Sequence, residues 1–140
     1  VTDTDTGEWR PLDIKGFMAL MGPLLRATDA GDRGTYGFQT DDRHGNHIGL
    51  VHGGVLTSLL DQAIAILAWK AADRQPTVTV QMDSRFLGAA RVGDFLKIRP
   101  EIRHATRSLI FVDAEIHSET GPVATASAIM KITSKTGRTT

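Results

Sequence analysis

Residues 46–70 read NHIGLVHGGVLTSLLDQAIAILAWK. A histidine and two glycines, His52-Gly53-Gly54, open this apolar run, and a single carboxylate, Asp61, sits in its middle. The first residues of a helix present unpaired N–H groups and the positive end of its macrodipole. Glycine there removes the side chain that would hold a ligand away from the backbone. The Gly53 N–H can therefore hydrogen-bond a carbonyl oxygen and stabilise it as charge develops, a contribution of about 3 to 4 kcal/mol in hydrolases. An aspartate among apolar neighbours loses hydration and can attack a carbonyl carbon or take a proton from water. A tightly packed helix start and a structural aspartate are the bland alternatives, and the residues alone leave them open.

Positioning these groups requires a long helix, expected from about Gly54 to Ala71. Val55, Leu56, Leu59, Leu60, Ile64, Ile66, Leu67 and Trp69 lie on every side of its wheel, so it should be enclosed on most sides. Upstream, Phe17, Leu20, Met21, Leu24 and Leu25 recur at helical spacing, with Pro23 breaking or restarting the turn. GTYGFQT reads as a short strand and DDRHGNH as a loop. After Pro76 the pattern has period two: TVTVQMDSRF, DFLKIRPEIR, SLIFVDAEIH and VATASAIMKIT are four strands, read as an antiparallel meander. In the first of these, Val78, Val80, Met82 and Phe86 are expected on one face and Thr77, Thr79 and Gln81 on the other. Ala124, Ala126 and Ala128 share a face of the last strand and would let a helix approach closely. The fold class is α+β, one long helix wrapped by a curved antiparallel sheet. Residues 1–13 read as an arm, 14–134 as one domain and 135–140 as a polar tail.

Composition narrows the classes. Lys plus Arg and Asp plus Glu number 16 each, so the basic footprint of a nucleic-acid binder is missing. There is no cysteine, hence no disulfide framework or thiolate metal site. The run Val55–Trp69, interrupted by Thr57, Ser58, Asp61 and Gln62, reads as too short and polar to span a bilayer. The acidic, polar N-terminal stretch is unlike a signal peptide, and a cytoplasmic location is expected. His44, His47 and His52 invite a metal reading, but their spacing fits no zinc pattern, and neither metal nor cofactor is expected.

Asn46, Gly49, His52-Gly53-Gly54 and Asp61 form the pattern N-x-x-G-x-x-H-G-G with an aspartate seven residues after the second glycine. With Thr79 on the next strand, this constellation resembles the hotdog-fold acyl-CoA thioesterases of the phenylacetate-catabolism type. The expected element order agrees with that family from about Phe17 to Thr133. The resemblance implies hydrolysis of an acyl-CoA to free acid and coenzyme A. It gives Asp61, Gly53, Asn46 and Thr79 catalytic positions, with Asn46 placing the water or carbonyl and Thr79 holding water or orienting Asp61. As plain residues, Asn46 is equally a turn former and Thr79 an ordinary strand residue. His52 should anchor the helix start rather than move protons, with Gly54 beside it against the substrate. Arg85, Arg103 and Arg107 are candidates for the coenzyme A phosphates, and solvated strand-edge charges are the competing reading.

One distance adds a constraint. Gly53 and Asp61 are eight residues apart, about 12 Å along a helix, too far to reach one carbonyl carbon. Two copies about a twofold, with antiparallel helices, would bring Gly53 of one opposite Asp61 of the other. A homodimer with shared sites is therefore expected, and the resemblance implies a dimer of dimers. A non-catalytic acyl-CoA sensor and a hotdog hydratase or dehydratase are the alternatives. Sensors of the first kind usually carry an appended DNA-binding segment, which the 13-residue polar arm does not resemble, and the histidine–acid pattern of the second is not found in these residues.

Overall fold

The computed structural model describes residues 8–29 and 34–133. Its elements, in chain order, are β1 Trp9–Pro11, α1 Phe17–Met21, β2 Leu25–Ala27, β3 Tyr36–Gln39, a 3-10 turn Asp42–His44, α2 Gly53–Ala71, β4 Thr77–Phe86, β5 Phe95–Ala105, β6 Leu109–Ser118 and β7 Gly121–Ile132. The seven strands form one antiparallel sheet in the order β1-β2-β3-β5-β6-β7-β4. Helix α2 lies across it, touching β4, β5, β6 and β7. This is the hotdog fold.

Helix α2 buries Leu56, Leu59, Leu60, Ala63, Ile64 and Ala68 against Leu96, Ile98, Ile110, Val112, Ile116 and Met130 of the sheet. Fully burying each large side chain contributes about 1.5 to 3 kcal/mol. Ala124, Ala126 and Ala128 are buried with them. The helix is not enclosed all round: one flank, including Asp61, Gln62, Ala65 and Ile66, is half-buried, and Trp69 is 39% exposed. At 19 residues with a mean hydropathy of 1.2, α2 is long and apolar enough to cross a bilayer, contrary to the expectation from the shorter run. Its packing on the sheet identifies it as a core helix.

Several elements differ from the sequence reading. The four long strands are not a simple meander: β5, β6 and β7 are, but β4 crosses to pair with β7 and ends up at the sheet edge. Alternation marks a strand and its faces but not its partner. A bulge between Thr79 and Gln81 then splits β4. Before it Thr79 points to α2 while Val78 and Val80 are exposed; after it Met82 packs on the core. The single apolar face expected through Val78, Val80, Met82 and Phe86 does not exist.

The N-terminal segment 1–13 is not wholly an arm. Trp9–Pro11 pairs with Leu25–Ala27, and Trp9 is buried edge-on to Phe95 at 5.1 Å. Gly37 makes room for this: a Cβ there would lie 2.5 Å from the Phe95 ring and 2.9 Å from Trp9. Residues 1–7 and the tail 135–140 lie outside the described residues. Helix α1 stops at Met21, because Gly22 takes φ +118°, and Leu25 belongs to β2 rather than to a continued helix. Met18 and Met21 enter the core, whereas Phe17 and Leu20 are exposed.

Candidate active site

The start of α2 is anchored from below. His44 is buried, its Nε2 lies 2.6 Å from the Met21 carbonyl oxygen, and its Nδ1 accepts the Asp41 N–H at 2.9 Å. The His44 carbonyl in turn accepts the His52 N–H at 2.8 Å. With both ring nitrogens engaged in the backbone, His44 is a strut, not a ligand in a histidine cluster. No group of three or more metal-binding side chains occurs among the described residues. Asp41 caps the same 3-10 turn, and the hydrogen bond from the Arg43 side chain holds its carboxyl below the ordinary aspartate range.

Asn46 shapes the loop that follows. Its Oδ1 accepts the N–H groups of Ile48 and Leu50, each at 3.0 Å. The carboxamide oxygen is thereby committed to the loop, and only the Nδ2 donor remains for a ligand.

His52 is the N-cap of α2, and its Nδ1 accepts the Gly54 N–H at 2.8 Å. That bond satisfies one of the orphan donors of the helix start. It takes Gly54 out of play as a donor, so of the two glycines only Gly53 keeps an N–H without a partner among the described residues. A Cβ on Gly53 would sit 3.5 Å from the Phe86 ring, an ordinary contact. The Phe86 side chain, itself 56% exposed, is thus one wall beside the open donor. Sequence reasoning assigned Phe86 to a strand face and had no signal for this contact.

Two turns further on, Asp61 is half-buried, and its Oδ1 accepts the Thr79 hydroxyl at 2.9 Å. The Thr79 Oγ1 also lies 3.4 Å from the buried Met130 sulfur. Thr79 therefore reaches the carboxylate because the bulge that follows sets the phase of β4. The other carboxylate oxygen, Oδ2, has no partner among the described residues.

The arginines do not gather at this helix. Arg103 projects from the sheet face opposite Ile102, where it pairs with Asp113 at 3.5 Å and Glu101 at 3.7 Å. Arg107 lies in the turn between β5 and β6, beside the β7 end at Ile132. Arg85 is exposed on β4 next to Phe86. Within one chain the structure brings together Asp61 with Thr79, and His52 with Gly53 and Gly54. The two groups occupy separate turns of one helix.

The chain belongs to the thioesterase superfamily, whose family model matches residues 48–125, from the loop before α2 to the middle of β7. It is a thioester hydrolase. A Pseudomonas aeruginosa protein named as an esterase is 33% identical over 117 residues, covering 83% of this chain and 87% of that one. A Streptococcus pneumoniae thioesterase solved with coenzyme A is 27% identical, covering 71% of this chain and 79% of that one, with a TM-score of 0.67. A phenylacetic acid degradation-related thioesterase of Ralstonia eutropha is 26% identical, covering 86% and 92%, with a TM-score of 0.72.

Proposed function

We propose that the chain hydrolyses acyl-CoA thioesters, at sites completed by two copies of itself. One observation carries the mechanism: His52 occupies the Gly54 N–H and leaves the neighbouring Gly53 N–H open, on the helix that also holds Asp61. The thioester carbonyl oxygen sits on Gly53 N–H, where the helix macrodipole adds to its stabilisation as it becomes an oxyanion. Asp61 of the other copy attacks with its free oxygen, Oδ2, while Thr79 holds Oδ1. As a base, Asp61 takes a proton from water, the hydroxide adds to the carbonyl carbon, and the C–S bond breaks. The thiolate leaves and takes up that proton, giving free acid and coenzyme A. As a nucleophile, Asp61 displaces the thiolate to form an anhydride, which water then opens. A single turnover in ¹⁸O-labelled water separates these routes, since only the second can leave label in the Asp61 carboxylate. The coenzyme A found with the Streptococcus relative supports the substrate class.

Distance and surface both support a second copy. About 12 Å of helix separates Gly53 from Asp61. The β4 edge exposes Val78, Val80 and Phe86, with Leu87 just beyond it, and Trp69 stands out from α2 nearby, an apolar surface suited to a partner. Doubling of this dimer to a tetramer is part of the same proposal.

Mixing two inactive variants tests the shared site. Asp61→Asn subunits keep Gly53, and Gly53→Pro subunits keep Asp61. Co-refolded at equal amounts, they should form mixed dimers with one intact site and recover about a quarter of wild-type activity by random pairing. No recovery, with mixed dimers verified by mass spectrometry, would show that each chain acts alone.

A further inference from the structure

Helix α2 divides the surface around it. On the flank toward β4, Asp61 accepts the Thr79 hydroxyl, and a depression runs to Pro76 and Thr77. Gln62, Ile66 and Trp69 form the ridge that bounds this depression, and the same ridge is one wall of a second groove, of about 290 Å³. The other wall of that groove comes from residues 12–14 and from β2 and β3, and none of Gly53, Asp61 and Thr79 lines it. Its lining is amphipathic with a positive balance. Leu12, Ile14, Ile66 and Trp69 give it apolar walls. Arg26 on β2 and Lys70 on α2 stand against a single carboxylate, Asp13. None of these three has an ion-pair partner among the described residues.

Tyr36 joins the two cations from β3. It lies directly opposite Arg26 in the β2–β3 register, so the two side chains share a face. Tyr36 is 4% exposed, and its hydroxyl makes no hydrogen bond among the described residues. Yet no fully buried side-chain oxygen or nitrogen lacks a partner, so the hydroxyl keeps its small exposure, and the space it meets is the groove. Burial pushes the Tyr36 pKa above the ordinary phenol value, with Arg26 acting in the opposite sense, so at neutral pH the phenol is a donor. Thr35 is differently placed, since its Oγ1 already accepts the Arg99 Nε–H at 3.3 Å. A nearly buried donor without an acceptor, beside two unpaired cations, calls for an anion. A carboxylate satisfies the phenol and meets the positive balance. The uncharged acyl tail of a thioester does not.

We propose that this groove is a second ligand site, one that takes a small free carboxylic acid with an apolar body. The carboxylate accepts the Tyr36 hydroxyl and faces Arg26 and Lys70, and the body lies on Ile66 and Trp69. The groove has the volume of about ten water molecules at roughly 30 Å³ each, room for a single ring or a short chain. Acids of this class are what thioester hydrolysis releases, but filling the groove does not depend on that activity.

The test reads binding from the emission of Trp69, with Trp69→Phe as the blank. Phenylacetate and hexanoate are compared with the uncharged phenylacetamide and hexanamide. The acids should bind saturably, and the amides about tenfold more weakly. Tyr36→Phe removes only an unpartnered hydroxyl, so it should fold, and it should weaken binding of the acids about tenfold. Arg26→Gln combined with Lys70→Gln should weaken it comparably and abolish its salt dependence, with thermal melts confirming the fold of each variant. Saturating phenacyl-CoA, a thioether that hydrolysis cannot cleave, should leave the acid bound. Displacement of the acid by phenacyl-CoA would merge the groove with the reaction site and overturn the proposal. Equal binding of acids and amides, variants that bind as the wild type does, or no saturable binding at millimolar acid would overturn it as well. Binding as expected in a protein that hydrolyses no thioester would support the site and count against the activity alone.

Discussion

The two places on α2 proposed to react are built in opposite ways. At the helix start the working group is backbone: the Gly53 N–H, open because His52 has engaged its neighbour and because glycine brings no side chain. At Asp61 the working group is a side chain, tethered by a hydroxyl from another element. A backbone donor is fixed by the helix itself and survives most substitutions. A carboxylate can be removed by one substitution and misplaced by loss of its tether. In the proposed mechanism each is half a site, and a second copy of the fold completes it.

Substitutions that respect this contrast should separate the halves. The largest loss is expected for Asp61→Asn, about a thousandfold in kcat, with an unchanged melting temperature. A variant within a few-fold of wild type in steady-state assays would remove Asp61 from the chemistry. Next comes Gly53→Pro, an unusual route to deleting a backbone donor. Gly53 is the first helical residue, where proline is well tolerated, and His52 already has the φ −61°, ψ 138° that a residue before proline prefers. The helix should persist by circular dichroism while kcat falls about a hundredfold or more. Gly53→Ala retains the N–H and places a methyl in ordinary contact with Phe86, so its loss should be far smaller than that of the proline variant. Equal losses would mean that space at Gly53, not its N–H, is what matters.

Thr79→Val should cost about tenfold in kcat by untethering Asp61, with KM little changed, and Thr79→Ser should restore most of it. The smallest effect concerns the loop below. The carboxyl of Asp41 is lowered in the folded state by Arg43, so its capping contribution is complete above its ordinary pKa. That contribution is lost as pH falls through the lower folded value. Replacing Asp41 by Asn should therefore flatten the acid end of the stability profile and leave the melting temperature at higher pH shifted only slightly.

Much of this was legible in the residues. Gly53 and Asp61 stand out as candidates because glycine at a helix start and an acid in an apolar helix each break a local rule, whereas Thr79 stands out only through the family resemblance; helix α2 follows from its dense apolar run. What escaped has a common cause, dependence on a neighbour distant in sequence. Trp9–Pro11 is too short for periodicity and becomes a strand only because Gly37 leaves room for the indole. The pairing of β4 with β7 rather than β5 is a matter of topology, to which alternation is blind. The arginines illustrate the converse. Their type alone does not show their surroundings: Arg103 pairs across strands with Asp113 on the sheet face away from α2.

The bulge in β4 gives the strand two independent grammars. Upstream of it, Thr79 faces the helix and holds Asp61 while Val78 and Val80 are exposed. Downstream, the inward positions revert to packing, beginning with Met82. One inserted residue thus works as a clutch between two stretches of the same strand. Substitutions that tune the reactive stretch need not be propagated into the core, and the core can drift without turning Thr79 away from the carboxylate it holds.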